Sequence, residues 1–490
     1  MSVSSVSFDL FLSARAMLAA LYYRKISSSE LLEEHLARIA RYNPTLNAIV
    51  TPNTEQARQR AKEADKALER GEPLGLLHGL PLTIKDTIEV AGLPATAGIA
   101  ANAKRIPSKN APVAQRVLDA GAVLLGKTNI PPYAGDWHAD NPLFGRTNNP
   151  WDLKRTPGGS TGGGAAALAA GLTPLEFGSD LAGSIRLPAA FCGLYGHRPS
   201  ESAVPRSGHF PGSPVPNPAL IMGVQGPLAR TAGDLELALE VIAGPVVGED
   251  VAWRLELPAP RRHALAHFRV AVMPFSDWLP VDAEIASALE DLAGKLSGLG
   301  ARVSQAQPEG FDLKQHEETY AALIDILMFA ELTDEQRARI VEGLRQSDDL
   351  FAPAQIKGLT ANAPTLLKLL SKREYERAAF RAFFQEWDIL LAPVTITPPI
   401  EHIDPASSFQ KRTLQIDGQS VPYGRIQIYP GLATLSGQPA TAFPYGRTRG
   451  GLPIGLQAIG PYLEDYTTIY FAELLEQEFG GFTPPPGFSA

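Results

Sequence analysis

From about Leu74 onward, short apolar runs alternate with helix-period stretches, and Gly or Pro punctuates the boundaries. LPLTI (80–84), AVLLG (122–126), LTPLEFG (172–178) and FRVAVM (268–273) read as strands. Between them VAQRVLDAGA (113–122), GGAAALAAG (163–171) and DLELALEVIAG (234–244) read as helices. This alternation restricts the fold to the α/β class, a sheet carrying helices on its faces. Further strands are expected at WDILLAPV (387–394), PATAF (439–443) and LPIGLQAIG (452–460), with a closing helix at DYTTIYFAELLEQEF (465–479).

The flanks differ in texture. SSELLEEHLARIARY (28–42) sets Leu31, Leu32, His35, Leu36 and Ile39 on one stripe, the period of a half-buried helix. Ser27 and Glu30 have capping-box spacing, and a second charged amphipathic helix is expected from Thr54 to Arg70. Residues 313–385 are charged, helical and without strand signals, which predicts a helical insertion or lid. With no internal repeat and no long low-complexity linker, the chain 1–490 is expected to form one domain: N-terminal helices (1–70), core (75–245), insertion (313–385) and C-terminal return to the core (386–480).

Composition narrows the function. At 44% hydrophobic and 20% charged residues it is that of a soluble globular protein, and a net charge of −8 argues against a sequence-independent nucleic-acid binder. Cys192 is the single cysteine, so no intrachain disulfide or thiolate zinc cluster can form, which fits a cytoplasmic location. No basic n-region precedes the first apolar stretch, Arg15 interrupts that stretch, and no apolar run approaches the ~18 residues of a membrane span. His263 and His267 stand four apart without a carboxylate close by, which predicts a solvated helix face, so no metal is expected.

Three motifs could carry chemistry. GAVLLGKT (121–128) satisfies the P-loop pattern, but its intervening AVLL is itself a strand and Asn-Ile-Pro-Pro follows where a helix should start. PGGSTGGGAAAL (157–168) lacks the phosphate-binding lysine and runs directly into a helix, so it is either a tight structural turn or a backbone bent to present a hydroxyl. GSDLAGSIRLPAAFCG (178–193) is a second Gly/Ser cluster after a strand, where successive free N–H groups would suit a serine nucleophile beside an oxyanion hole. Lys85, ending an apolar strand, is a candidate base if burial keeps it neutral; the alternative is a salt bridge to Asp86. These residues alone leave both readings open.

Taken together, TIKD around Lys85, GGSTGG (158–163) and GSDLAGSIRLPAAFCG (178–193) resemble the amidase signature family, whose usual blocks read GGSSGGSAAA and GSDTGGSIRxPAAFCG. GKTNIP (126–131), NPLFGRTNNPW (141–151), GPLARTAGDLELALEVIAG (226–244) and GLPIGLQAIGP (451–461) extend the resemblance over most of the chain, except about 250–385, where the family varies. It implies a large mixed β-sheet covered by helices on both sides, and a Ser-Ser-Lys triad. Ser184 matches the nucleophile, Ser160 the bridging serine whose peptide bond is cis in relatives, and Lys85 the base. The N–H groups of Leu181, Ala182, Gly183 and Ser184 match the oxyanion hole, Ala134 matches a substrate contact near the acyl group, and Asp180 and Arg186 match residues that brace the loop.

Two residues depart from the family pattern. Thr161 replaces a serine and keeps the hydroxyl, whereas Ala182 replaces a glycine, at a cost of about 1 kcal/mol if that position needs φ > 0. The implied activity is hydrolysis of a small apolar or aryl amide without cofactor, nucleic acid or membrane partner; a homodimer is compatible with it. Carbamates, esters and nylon-type oligomers are alternative substrates. The glutamine-hydrolysing subunit of a tRNA-dependent amidotransferase is disfavoured because such subunits read SIRQPA where this chain has Leu187. A non-catalytic binding protein is disfavoured by the intact Lys85, Ser160 and Ser184. Tyr133, Trp137, His209, Phe210 and the 313–385 helices are candidate pocket residues.

Overall fold

In a computed structural model, residues 8–212, 221–404 and 406–489 are described. Residues 1–7, at the start of the expected N-terminal helices, and 213–220, inside the expected core stretch, lie outside them. The chain opens with α1 (Ala14–Tyr22), α2 (Ser28–Leu46), β1 (Ile49–Pro52) and α3 (Thr54–Glu69). Both halves of the Ser27/Glu30 capping box form at the start of α2, which satisfies N–H groups the first turn would otherwise leave open.

The α/β core follows: β2 (Pro81–Lys85), α4 (Pro112–Asp119), β3 (Val123–Thr128), the short pair β4 (Asp140–Asn141) and β5 (Gly145–Arg146), then α5 (Gly162–Ala169), β6 (Leu175–Asp180), α6 (Arg186–Cys192), β7 (Tyr195–Arg198), β8 (Val224–Ala229) and α7 (Ala232–Ile242). A third stretch carries β9 (Arg269–Val272), α8 (Ala283–Gly298) and β10 (Arg302–Gln305). Residues 313–385 form α9 (Leu313–Met328), α10 (Asp334–Arg345), α11 (Ala352–Leu359) and most of α12 (Ala363–Glu386). The C-terminal part returns through β11 (Ile389–Pro393), the hairpin β12 (Thr413–Ile416) and β13 (Gln419–Pro422), α13 (Ile428–Ser436), β14 (Ala440–Arg447), β15 (Pro453–Ile459) and α14 (Asp465–Phe479).

Eleven strands make one mixed sheet in the order β1-β3-β2-β6-β8-β7-β14-β15-β11-β9-β10. β2 runs parallel to β3 and β6, whereas β8, β7, β14 and β15 pair antiparallel across the middle. Successive side chains of a strand point to opposite faces. Accordingly Ile389, Leu391, Val270 and Ala458 enter one hydrophobic cluster, while Leu390, Ala392, Ala271 and Ile459 enter another on the opposite face. β2, β3 and β6 are buried throughout, as parallel strands covered on both faces must be. Lys85 and Asp180 are the last residues of the neighbouring parallel strands β2 and β6, the end at which α/β sheets place their ligand sites.

Three expectations need correction. The helix expected over 113–122 stops at Asp119, because Gly121 takes φ +90 and the chain turns into β3. The strand expected from Leu172 starts at Leu175. His263 and His267 are exposed, but His267 belongs to a single 3-10 turn (Leu265–His267) and not to an α-helical face. Among the described residues no helix is long and apolar enough to cross a membrane.

Candidate active site

Lys85 points into the protein from the end of β2 and is wholly buried. Its Nζ lies 2.6 Å from Ser160 Oγ and 2.8 Å from Ser179 Oγ. Burial lowers its pKa from 10.5 to about 7, despite the opposing pull of Asp180, Glu176 and Asp86. The alternative salt bridge to Asp86 does not form: the Asp86 carboxylate instead accepts from the N–H and hydroxyl of Thr96. Glu176, next to β2 on β6, is also wholly buried; burial pushes its pKa up to about 7, although the Thr128 hydroxyl donates to it at 2.6 Å.

Ser160 stands at the tip of the glycine run, and the Gly159–Ser160 peptide is cis. A Cβ on Gly159 would lie 2.6 Å from the Asp136 carbonyl oxygen, and one on Gly158, at φ +85, would lie 2.8 Å from Pro188 Cα. The turn is therefore wedged between two backbones where only glycine fits. Immediately after it, Thr161 N–H donates to the Ser184 carbonyl at 3.1 Å, tying the two Gly/Ser clusters together. The structure thus brings Lys85, Ser160 and Ser184 into one neighbourhood. Ser184, at 7% exposed against 0% for Lys85 and 1% for Ser160, is the one of the three most open to a ligand.

Asp180 organises the loop that carries Ser184. One carboxylate oxygen accepts from Gly183 N–H (3.1 Å) and Arg186 Nη2 (2.9 Å); the other accepts from Ile185 N–H (3.2 Å) and Arg186 Nε (3.0 Å). Burial alone would raise the Asp180 pKa, but the Arg186 charge and hydrogen bonds, with Arg198 nearby, hold it well below the usual carboxylate range. The N–H groups of Leu181, Ala182 and Ser184 donate to no described residue, which leaves them available to an anion. Gly183 differs from the expectation: its N–H is occupied by Asp180, and its glycine is needed for φ +87. Ala182 has no positive φ, so the strain considered for its Cβ does not arise.

Tyr133 and Ala134 both take left-handed conformations, φ +55 and +54, of the kind that non-glycine residues adopt where surrounding structure holds them. Tyr133 is exposed, whereas Trp137 is core: its ring packs beside Phe409 and Tyr423, and its Nε1 donates to the Ala182 carbonyl at 2.9 Å. The His209 ring stands edge-on to Phe210; burial first, then the Lys85 charge, lowers its pKa to about 3, so it is neutral. Sequence reasoning missed Ser179 and Tyr320. Ser179 stands in the signature next to Asp180, but nothing local distinguishes a strand serine that reaches a lysine on the neighbouring strand. Tyr320 of α9 donates its hydroxyl to the Leu181 carbonyl at 2.8 Å. No group of three or more His, Cys, Asp or Glu side chains among the described residues could hold a metal.

The Amidase family model matches residues 30–469. An indoleacetamide hydrolase from Bradyrhizobium diazoefficiens is 32% identical over 91% of this chain and 83% of its own length. A glutamyl-tRNA(Gln) amidotransferase subunit from Prochlorococcus marinus is 31% identical over 94% and 96%. Among solved structures, a bacterial aryl acylamidase of the amidase signature enzymes superposes with a TM-score of 0.80 at 26% identity, covering 96% of each chain. With the sheet order, the Lys85–Ser160 contact and the match along the sequence in agreement, this chain belongs to the amidase signature family of amide-hydrolysing enzymes.

Proposed function

We propose that the chain hydrolyses a small amide with an apolar or aryl acyl part through an acyl-enzyme on Ser184. The observation that carries this reading is the buried amine of Lys85, brought near neutrality and held 2.6 Å from Ser160 Oγ. A neutral amine has one lone pair and two N–H bonds, so it can accept from Ser160 while donating to Ser179. Ser160 passes its proton to Lys85 and takes the Ser184 proton as Ser184 Oγ bonds to the amide carbon. The tetrahedral oxyanion rests on the free N–H groups at 181, 182 and 184. The proton then returns through Ser160 to the leaving nitrogen as the C–N bond breaks. Water adds to the ester by the same relay, releasing the acid and restoring Ser184.

An apolar substrate is supported beside the loop. Met222, Leu323 and Ile324 form a buried cluster on which Leu181, Ala182 and Met328 pack. Leu187 is buried where glutamine-using relatives carry a polar side chain. Burying an aryl group there would contribute roughly 1.5–3 kcal/mol. The relatives named for indoleacetamide and aryl acylamides fit the same class. The test uses the purified chain alone, comparing kcat/KM for an anilide, a short aliphatic amide and glutamine, with mass spectrometry of a fluorophosphonate adduct. The expected results are preference for the anilide, an adduct on Ser184 and no turnover by folded Ser184→Ala. Glutamine as the best substrate, or activity only with added subunits, favours the amidotransferase; an adduct elsewhere removes Ser184 from the mechanism.

A further inference from the structure

Two carbonyls of the loop before Ser184 are tied down from outside by side chains distant in sequence. Tyr320 Oη donates to Leu181 O at 2.8 Å, and Trp137 Nε1 donates to Ala182 O at 2.9 Å. Each donor is itself seated. The Tyr320 phenol is wholly buried against α13, where a Cβ on Gly431 would come within 3.0 Å of its ring. The Trp137 ring lies 5.8 Å from Phe409 and 5.3 Å from Tyr423, and the Tyr423 hydroxyl donates to Asp136 Oδ1 at 2.7 Å. Arg412, just before the β12–β13 hairpin, pairs with the other oxygen of Asp136. One brace therefore comes from the helical insertion, and the other is held by the segment around the hairpin.

In a planar trans peptide the carbonyl of one residue and the N–H of the next point in opposite directions. Holding Leu181 O on α9 turns the Ala182 N–H away from that helix, and this N–H has no partner among the described residues. Holding Ala182 O on Trp137 sets the Gly183 N–H opposite, where Asp180 Oδ1 receives it at 3.1 Å. Without the two side chains, nothing among the described residues would hold either carbonyl: the 181–182 peptide plane could rotate, and the 182–183 plane would be held at its Gly183 N–H end alone, by Asp180.

We propose that Tyr320 and Trp137 are positioning residues for amide hydrolysis, fixing the peptide planes of the oxyanion loop so that its free N–H groups are aimed before substrate arrives. The inference rests on Ser184 being the nucleophile. Preorganised donors act on the charge that develops in the transition state. Loss of a brace should therefore lower kcat and leave KM little changed.

The test compares Tyr320→Phe and Trp137→Phe with wild type in the full chain, with an anilide as substrate. A boronic acid carrying the same acyl group probes the tetrahedral adduct. Tyr320→Phe deletes only the hydroxyl and keeps the ring in its packing, so this variant carries the test if Trp137→Phe fails to fold. The expected result is a roughly tenfold fall in kcat for each variant, the equivalent of one hydrogen bond, with KM unchanged and boronate affinity falling in parallel. Wild-type kcat and boronate affinity in folded Tyr320→Phe would overturn the proposal. So would a rise in KM alone, or a lowered Tm with kcat per folded molecule unchanged. A wild type that hydrolyses no amide and takes no adduct on Ser184 would instead overturn the Ser184 reading, and this inference with it.

Discussion

Asp180 and Arg186 meet with both side chains wholly buried, the guanidinium donating Nη2 to one carboxylate oxygen at 2.9 Å and Nε to the other at 3.0 Å. Such a pair adds little net stability over an apolar replacement, yet removing Arg186 strips the buried Asp180 carboxylate of its two guanidinium hydrogen bonds, and Arg198, 3.6 Å away, replaces them only in part. Arg186→Met should therefore destabilise by about 3–5 kcal/mol. Its urea midpoint checks this, and Asp180→Asn combined with Arg186→Met should recover part of the loss. The pH dependence has a definite sign. Because the folded-state pKa of Asp180 is depressed, its stabilising contribution is present above the unfolded value near ~3.9 and is lost as pH falls through the folded value. Arg186→Met should remove much of that acid-side dependence.

Lys85 shifts in the same direction for a different reason, since burial disfavours its charged form. Its folded-state pKa is lowered to about 7, so the neutral base accumulates above that value. We expect kcat/KM to rise with pH through about 7 and then level off. Lys85→Arg should be inactive across this range because guanidinium stays protonated. A pH–rate series on both proteins checks this; substantial turnover by the arginine variant would remove Lys85 as the base.

Ser179 accepts from Lys85 at 2.8 Å. An ammonium makes a stronger hydrogen bond to a hydroxyl oxygen than a neutral amine does, so Ser179 favours the protonated form. Ser179→Ala should move the rising limb of the pH profile to lower pH and reduce kcat by roughly tenfold, since the amine loses one point of fixation. An unshifted limb with unchanged kcat would leave Ser179 as packing only.

Ala182 has no positive φ, in contrast to Gly183 at φ +87. Restoring the family glycine with Ala182→Gly should therefore relieve no strain and instead loosen the loop by about 0.5–1 kcal/mol of backbone entropy. The expected outcome is a slightly lower Tm and no gain in kcat. Gly183→Ala should be the damaging change, because its Cβ would meet Pro430 at 2.8 Å.

What the sequence determined by itself was whatever short-range chemistry encodes. Ser27 and Glu30 announce the start of α2, and Asp465 to Phe479 mark α14 to the residue. The apolar runs of β2, β3, β11 and β15 name themselves as strands, since four or five consecutive buried residues suffice. The conspicuous motif residues Lys85, Ser160 and Ser184 were legible in the same way, because glycine-rich turns and signature blocks are contiguous in the chain. Only the tertiary structure decided what depends on pairing across long separations. The sheet order inserts β8 and β7 between β6 and β14, and no local pattern records which edges meet. Ser179 acquires its lysine from a neighbouring strand, 94 residues away, and Tyr320 finds the Leu181 carbonyl across 139 residues. Gly183 lost its expected free N–H to Asp180, a carboxylate three residues earlier whose orientation is set by buried Arg186. Hydrogen-bond partners of this kind follow from where side chains are packed, and packing is a property of the folded whole.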